Sequence, residues 1–293
     1  MKNNFAVLIP SYGRPDRVYT IETLRKSGYT GRIVIVCDDS DKAIDEYKSL
    51  NSDEVFVFSK SDYAGKFDKM DNFGNMSCVV FARNAMWDIA KALGLVSFVV
   101  ADDDYVAFER RITGTGGYFA KRHAHSPDLD AVFSAYNDFL LETSVATVCL
   151  AQGGDYIGGA ENSKVADGFK VSRKMMNLYF FHADRPIEFK GTINEDLTSS
   201  VTHGVTGGII LTSMMNSIVQ KETQTNAGGL TELYLSVGTY VKSFYSVIAA
   251  PSCIKVSTMG DTSLRLHHQV TWRDAVPKII RAHKPKEATN GQT

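Results

Sequence analysis

Short apolar runs, each followed at once by polar residues, constrain this chain more than any other feature. The segments between these runs carry apolar residues at helical spacing. Continuous apolar runs are typical of strands buried on both faces, and alternation of such strands with helices favours a parallel sheet covered by helices. We therefore predict strands at residues 5–9, 33–37, 55–58 and 96–100, and helices at 16–28, 41–50 and 79–93.

Polar clusters follow three of the predicted strands, at residues 11–14, 38–41 and 102–104. In an open α/β sheet, ligands bind in the crevice beyond the carboxyl ends of the strands. Because parallel strands end at the same edge, we expect the three clusters to converge there. This edge is the first candidate for a functional site.

The second half of the chain is less periodic. No linker composition separates it from the first half, so we expect one domain over residues 1–276, with halves at 1–110 and 111–276. Residues 277–293 are basic and then polar, which predicts a tail. Further strands are predicted at 146–151, 179–182, 205–212 and 245–250.

Composition limits the class of protein. The chain has 293 residues, 44% hydrophobic and 22% charged, with a net charge of −1, as in an ordinary globular enzyme rather than a protein that coats nucleic acid. No apolar run approaches the roughly 20 residues of a membrane helix, and the N-terminal run is too short for a secretory signal. The four cysteines lack C-x-x-C spacing and predict buried free thiols, so we expect a cytoplasmic protein.

Three consecutive aspartates, Asp102, Asp103 and Asp104, carry most of the chemical information. Adjacent carboxylates repel one another unless a cation or a hydrogen-bond donor offsets their charge. A hard divalent cation prefers oxygen ligands and keeps substrate phosphates in its remaining positions. The structural alternative is a helix cap with solvated acids.

Two enzyme classes place acids in this setting. Haloacid-dehalogenase-like phosphatases use D-x-D after an apolar strand, with Asp102 then the nucleophile and Asp104 the acid/base. That motif normally follows the first strand, whereas about 100 patterned residues precede it here. GT-A glycosyltransferases, which use nucleotide sugars, carry D-x-D after the fourth strand.

Three further blocks resemble GT-A enzymes in order and spacing: residues 9–14 (IPSYGR), 38–40 (DDS) and 81–85 (FARNA). Together with residues 172–174 (SRK), 194–196 (NED), 238–242 (GTYVK) and 265–268 (RLHH), they resemble the TET-associated glycosyltransferase family. That family occurs in phages and bacteria and is thought to add sugars to hydroxymethylated pyrimidines in DNA. The resemblance implies a GT-A-like, Rossmann-type mixed sheet with helices on both faces and a C-terminal elaboration.

The resemblance also implies donor-side roles within residues 1–110. Asp104 would bind Mn²⁺ or Mg²⁺, Asp102 would bind ribose or a metal-bound water and so assist the metal, and Asp103 would orient the sugar. The remaining expected contacts to the nucleotide sugar, a UDP-sugar or a related donor, come from Ser11, Arg14, Asp38, Asp39 and Arg83.

Glu195 and Asp196 resemble the acid pair of GT-A enzymes. In inverting members one such carboxylate removes the proton of the acceptor hydroxyl. In retaining members the acid at this position serves as a positioning group instead. We favour Asp196 as this base. The structural alternative is a pair of first-turn acids capped by Asn194. His267 or His268 would supply a further metal ligand.

The acceptor is expected to lie against residues 111–276. Gly154 and Asp155 would line its path, Tyr156 would stack on an extruded base, and Lys278 and Arg281 of the basic tail would contact DNA phosphates. Simple turns and a solvated tail are the structural alternatives.

Taken together, the sequence predicts a metal-dependent glycosyltransferase acting on 5-hydroxymethylpyrimidine in DNA, with no membrane partner. The competing predictions are a GT-A enzyme acting on polysaccharide or protein, a phosphatase using Asp102, and a non-catalytic nucleotide-binding module.

Overall fold

A computed structural model describes residues 4–50, 53–72, 74, 76–112, 121–122, 127–156, 168–175, 178–221, 241–259 and 265–277. Most of its strands form one mixed sheet in the order β3-β2-β1-β4-β9-β7-β10-β5-β6, with β8 paired to β10. A separate hairpin joins β11 to β12. The strands are β1 (Phe5–Pro10), β2 (Arg32–Asp38), β3 (Glu54–Phe58), β4 (Ser97–Ala101), β5 (Tyr105–Ile112), β6 (Lys121–Arg122), β7 (Thr147–Ala151), β8 (Phe169–Lys170), β9 (Leu178–His182), β10 (Ile210–Gln220), β11 (Ile254–Met259) and β12 (Arg265–Val270).

Helices cover both faces of the sheet, which confirms the predicted mixed α/β architecture. The α-helices are α1 (Tyr19–Lys26), α2 (Ile44–Leu50), α3 (Val80–Ala92), α4 (Leu129–Glu142), α5 (Glu195–Val205), α6 (Val241–Ala249) and α7 (Trp272–Ala275). Side chains alternate between faces along a strand, and β1 shows the consequence. Ala6 and Leu8 pack with α3, whereas Val7 and Ile9 pack on the opposite face with α1 and α4.

The direction of the strands determines where the site forms. Strands β1 to β4 pair in parallel with their neighbours among themselves, and β9 enters antiparallel between β4 and β7. Strand β10 is parallel to β7, so β7 and β10 end at the same edge as β1 to β4. Strand β9 begins at that edge. The polar residues that follow or precede these strands therefore collect there.

Two predicted strands of the second half are corrected by the structure. The run at 205–212 is divided between the end of α5 and the start of β10 by a turn in which Gly207 has φ of 101°. The run at 245–250 belongs to α6, which buries Tyr245 and exposes Phe244 and Ile248. A short apolar run is compatible with either element, and here packing against α5 and the hairpin selects the helix.

A small third core supports this part of the molecule. It joins Leu197 and Val201 of α5 to Cys253, Ile254 and Ala275. The four cysteines are buried free thiols, as predicted. Among the described helices, none combines the length and the apolar composition needed to cross a bilayer.

Candidate active site

The predicted convergence of polar clusters occurs between β1 and β4, where the order of the parallel strands reverses. Such a reversal opens a crevice at the carboxyl edge of the sheet. The Ser11 hydroxyl, after β1, donates to Asp103 Oδ2 over 2.6 Å, after β4. Asp41, after β2, accepts from the backbone nitrogen of Gly13 over 2.7 Å. These contacts bring three strand ends together.

Asp103 points into the protein rather than toward a ligand. Its side chain is buried and lies 2.9 Å from the Arg14 Nε atom. Burial raises the pKa of Asp103, and Arg14 and Ser11 oppose that rise by stabilising the charged form. The structure thus places Asp103 where it holds Arg14 and Ser11, whereas the family resemblance implies a position at the sugar.

Thr20, which no sequence motif marks, supports the aspartate turn from α1. Its hydroxyl donates to the Asp102 carbonyl over 2.5 Å and accepts from the Tyr105 backbone nitrogen over 2.9 Å. The Thr20 nitrogen donates to the Asp103 carbonyl over 3.2 Å. Thr20 therefore holds the turn through the backbone carbonyl and nitrogen groups of the turn. The aspartate carboxylates remain available for other contacts.

Asp38 and Asp39 lie at the end of β2, beside Lys60. The Lys60 ammonium is 2.7 Å from Asp38 Oδ2, and Asp38 also accepts from Ser40. Asp39 is exposed, and the hydrogen bond from the Lys60 backbone nitrogen lowers its pKa. Asp39 therefore presents an ionised carboxylate at the edge, while Asp38 is engaged with protein groups.

Arg83 occupies the interior between the two acidic groups of the site. Its guanidinium contacts the Tyr179 hydroxyl, lies 3.5 Å from Asp102 Oδ1 and places Nε 3.4 Å from Glu195 Oε1. The group also stacks over the rings of Tyr179 and Phe189. Its side chain is only 6% exposed. The family resemblance implies that Arg83 contacts the donor, whereas the structure commits it to protein partners.

Asp102 lies in a strongly perturbed environment at the edge. Its side chain is 20% exposed. Burial raises the pKa of Asp102 to about 7, aided by the charges of Asp104 and Asp103 and opposed by Arg83. A perturbed carboxylate in a crevice is typical of a functional site.

Asp104 offers one uncommitted oxygen. Its Oδ2 accepts from Gln220 Nε2 over 3.1 Å, and Gln220 also accepts from Gln152, which links the ends of β4, β7 and β10. Its Oδ1 is buried and has no hydrogen-bond partner among the described residues. An unpaired buried carboxylate oxygen is costly, and burial raises the pKa of Asp104. This atom fits a divalent cation, which takes oxygen ligands.

The predicted metal site is only partly assembled by protein groups. Within the part of the chain that the structure describes, no three His, Cys, Asp or Glu side chains form a metal-binding group. His268 Nδ1 lies 3.4 Å from Asn194 Nδ2, and burial lowers the pKa of His268 to about 4. His267 Nδ1 lies 2.7 Å from the His268 carbonyl. The structure does not bring either histidine into contact with Asp104.

Glu195 and Asp196 begin α5 and have opposite environments. Glu195 is buried beside Arg83, and burial raises its pKa. Burial alone would raise the pKa of Asp196 as well, but the Lys174 ammonium, 2.6 Å from Asp196 Oδ2, lowers it. Lys174 thus favours the ionised form of Asp196.

Asn194 stands at the N-cap position before these acids, but its side chain does not cap the helix. Its backbone is left-handed, with φ of 61°. The side-chain amide donates to the Ser246 hydroxyl of α6 instead. Non-glycine residues rarely adopt this conformation, and Asn is among those that do so most readily. Asn194 therefore ties the acid pair to the C-terminal elements.

Three of the expected acceptor residues, Gly154, Asp155 and Tyr156, belong to a short 3-10 turn, Gly153–Tyr156, after β7. Gly154 is exposed. Asp155 is buried and pairs with Arg173. The Tyr156 hydroxyl donates to the Met214 carbonyl over 2.9 Å, and the Arg111 guanidinium lies 4.2 Å from its ring. Lys278 and Arg281 lie outside the described residues.

A crevice at the sheet reversal and a buried aspartate with one uncommitted oxygen are typical of the functional site of an α/β enzyme. A TET-Associated Glycosyltransferase profile matches residues 5–229. Since this match spans most of the chain, the protein belongs to that family and is a glycosyltransferase. The family expected from the sequence is thereby confirmed.

Solved structures give more distant likenesses. Glucosyl-3-phosphoglycerate synthase from Mycobacterium tuberculosis, in complex with Mn²⁺, UDP and phosphoglyceric acid, is 10% identical, with a TM-score of 0.46 over 91% of this chain and 87% of that chain. TarS from S. aureus is 14% identical, with a TM-score of 0.41 over 75% of this chain and 35% of that chain. A search of curated protein sequences gave no significant match.

Proposed function

We propose that this glycosyltransferase moves a sugar from a nucleotide-sugar donor to the hydroxymethyl group of a 5-hydroxymethylpyrimidine in DNA, with Mn²⁺ or Mg²⁺ at its acidic edge. The observation that carries the proposal is the buried Oδ1 atom of Asp104 at the strand reversal, which has no hydrogen-bond partner among the described residues. Family membership supplies the reaction class.

Asp104 and Asp102 would hold the divalent cation, with donor phosphate oxygens and water completing its shell. When bound, the cation supplies Lewis-acid stabilisation of the negative charge on the departing nucleoside diphosphate. Arg14, held by Asp103, lies on the same edge and adds positive charge toward the phosphates. Asp39, exposed and ionised, is suited to accept hydrogen bonds from the nucleoside.

Asp196 would receive the proton of the acceptor hydroxyl. In the transfer, the bond from the anomeric carbon to the diphosphate oxygen breaks, and the acceptor oxygen forms a new bond to that carbon. The hydroxyl proton passes to the Asp196 carboxylate, and the nucleoside diphosphate leaves with the bonding electron pair. A general base must be ionised before it acts, and Lys174 keeps Asp196 in that form.

The DNA acceptor is supported by the family's name and by an exposed glycine and an aromatic residue in the turn after β7. The exposed Gly154 leaves room for close approach, since a β-carbon added at this position would meet no atom within 4 Å. A base in duplex DNA must leave the stack to react, and an aromatic side chain such as Tyr156 is suited to stack on it. Lys278 and Arg281 would contact the DNA backbone.

Transfer is tested by incubating the protein with a panel of nucleotide sugars and Mn²⁺. Hydroxymethylcytosine DNA and unmodified DNA serve as acceptors, and nucleoside mass spectrometry measures the added mass. We expect a hexose or pentose mass on the modified nucleoside only. No gain with any donor contradicts the DNA acceptor, and the same donors with polysaccharide or protein then test the other acceptor classes.

Two outcomes would contradict glycosyl transfer at this site. Release of phosphate from a phosphomonoester, lost in Asp102→Asn, would indicate a phosphatase. Nucleotide binding with no turnover on any acceptor, and no donor hydrolysis, would indicate a non-catalytic module.

A further inference from the structure

The segment before β9 contains two adjacent cations, Arg173 and Lys174, whose geometry the proposed reaction uses only in so far as Lys174 keeps Asp196 ionised. They lie at the edge of the sheet where β9 begins, close in space to the acids of α5. The segment is fastened to α5 by its backbone, since the Met175 nitrogen donates to the Ser200 hydroxyl over 2.9 Å. Its geometry is therefore linked to the helix that carries Glu195 and Asp196.

Lys174 and the backbone together hold both oxygens of Asp196. The Lys174 ammonium is 2.6 Å from Oδ2, and the Leu197 nitrogen donates to Oδ1 over 2.7 Å. The Lys174 and Asp196 side chains are 26% and 16% exposed, so solvent and substrate can still reach the pair. A carboxylate held at both oxygens has little rotational freedom.

Arg173 points the other way and anchors the segment. Its guanidinium contacts Asp155, whose side chain is completely buried, and Lys170 donates to the Asp155 carbonyl over 2.8 Å. The segment therefore connects the turn after β7 with the start of α5. These two elements are distant in sequence and provide the acceptor side and the base.

We propose that Lys174 is a positioning residue for glycosyl transfer, which holds the Asp196 carboxylate in the orientation that receives the acceptor proton. This inference rests on the proposed function of Asp196. Misplacement of a catalytic group by about 1 Å costs on the order of 100-fold in rate.

Other charged groups face Asp196 and do not replace Lys174. Arg83 lies on α3 and is engaged by Glu195, Asp102 and Tyr179. His268 approaches from β12 and is electrostatically coupled to Asp196, but burial disfavours its charged form. Lys174 is the cation in direct contact with Asp196 among the pairs that the structure describes.

The test compares Lys174→Ala, Lys174→Arg and the wild type in donor turnover with hydroxymethylcytosine DNA. We expect Lys174→Ala to lower kcat by about 100-fold while the KM of the donor changes less than about threefold, because the donor side is untouched. Methylammonium or ethylammonium should restore part of the lost rate in Lys174→Ala, and Lys174→Arg should retain a larger share of activity. Lys26→Met, which removes an exposed lysine paired with Glu22, is the matched control and should match the wild type.

The same variants separate this inference from the proposed acceptor. If the wild type does not modify DNA, hydrolysis of the donor by water is measured instead, since water takes the acceptor's place at Asp196. A crystal structure of Lys174→Ala gives a readout independent of activity, and we expect the Asp196 side chain to rotate while the Arg83–Glu195 pair is unchanged. A kcat within about threefold of the wild type, or an Asp196 that keeps its orientation, overturns the proposal. Thermal melting establishes that each variant is folded.

Discussion

The two acidic groups of the site are built in different ways. Asp102–Asp104 directly follow β4, and hydroxyl and backbone groups of α1 hold their turn. Glu195 and Asp196 begin α5, and cations from distant segments hold them, Arg83 from α3 and Lys174 from the segment before β9. The turn of the first group is thus held by hydrogen bonds from α1, whereas the second group is held by ion pairs.

Electrostatics follow the same division. Burial raises the pKa of Asp102 to about 7, whereas Lys174 lowers the pKa of Asp196. A bound cation would stabilise the charged form of Asp102, whereas Lys174 already stabilises the charged form of Asp196. The comparison predicts that variants of the first group abolish chemistry through lost charge stabilisation, and that variants of the second act through proton transfer or positioning.

The largest effect is expected for Asp104→Asn. Loss of the carboxylate charge should lower kcat by about 1,000-fold or more, equivalent to about 4 kcal/mol of transition-state stabilisation. The measurement is product formation at several Mn²⁺ concentrations. Asp45→Asn, on the exposed face of α2, is the matched control and should leave turnover unchanged. Full activity of Asp104→Asn would remove the acidic edge from the mechanism.

A smaller effect is expected for Asp196→Asn, and its neighbour separates catalysis from folding. Loss of the base should lower kcat by about 100-fold, with little change in the free energy of unfolding. Glu195→Gln should instead reduce that free energy by about 3 kcal/mol, because Arg83 loses a buried partner. Urea unfolding and kcat are measured for both variants. The reverse pattern would exchange the roles of the two acids.

Thr20→Val tests the hydrogen bonds by which α1 holds the turn at residues 102–104. Removing the hydroxyl leaves the Asp102 carbonyl and the Tyr105 nitrogen without this partner, at a cost of about 2 kcal/mol in the free energy of unfolding. Thr206→Val removes a hydroxyl from the exposed end of α5 and should change stability by less than about 0.5 kcal/mol. Equal effects of the two changes would contradict the importance of this turn.

Thiol reactivity tests the burial of two of the cysteines. Burial raises the pKa of Cys37 and of Cys78 to about 12. At pH 8 roughly 1 in 10,000 of each thiol is then ionised, so both should react slowly with a disulfide reagent until the protein is unfolded in urea. Raising the pH toward 12 increases the thiolate fraction of the folded protein, because the pKa of each thiol is about 12. Fast labelling of Cys37 or Cys78 in the native protein, located by mass spectrometry, would contradict their burial.

Sequence patterns were most informative where the fold depends on local periodicity. The four strands at 5–9, 33–37, 55–58 and 96–100 are confirmed as β1 to β4, and the helix at 79–93 is confirmed as α3. In contrast, the run at 245–250 forms α6 rather than a strand. A short apolar run does not distinguish the two elements, and contacts with α5 and the hairpin, which are distant in sequence, make the choice.

The same limit applies to the site. Adjacent aspartates carry no information about which of them turns inward, and the structure buries Asp103 against Ser11 while one oxygen of Asp104 stays uncommitted. Lys174 belongs to a family motif in the sequence, but its contact with Asp196 depends on the position of β9. Thr20 carried no signal beyond its place near the start of a helix.

The sequence by itself determined the alternating architecture, the family and the edge of the sheet at which the polar residues gather. These follow from apolar periodicity and from the geometry of parallel strands, both of which are written locally in the chain. Only the tertiary structure decided the partners of each charged group. Arg83 between two acids, Lys174 on Asp196 and Gln220 on Asp104 all join residues from separate elements, and burial and distance set their protonation and orientation.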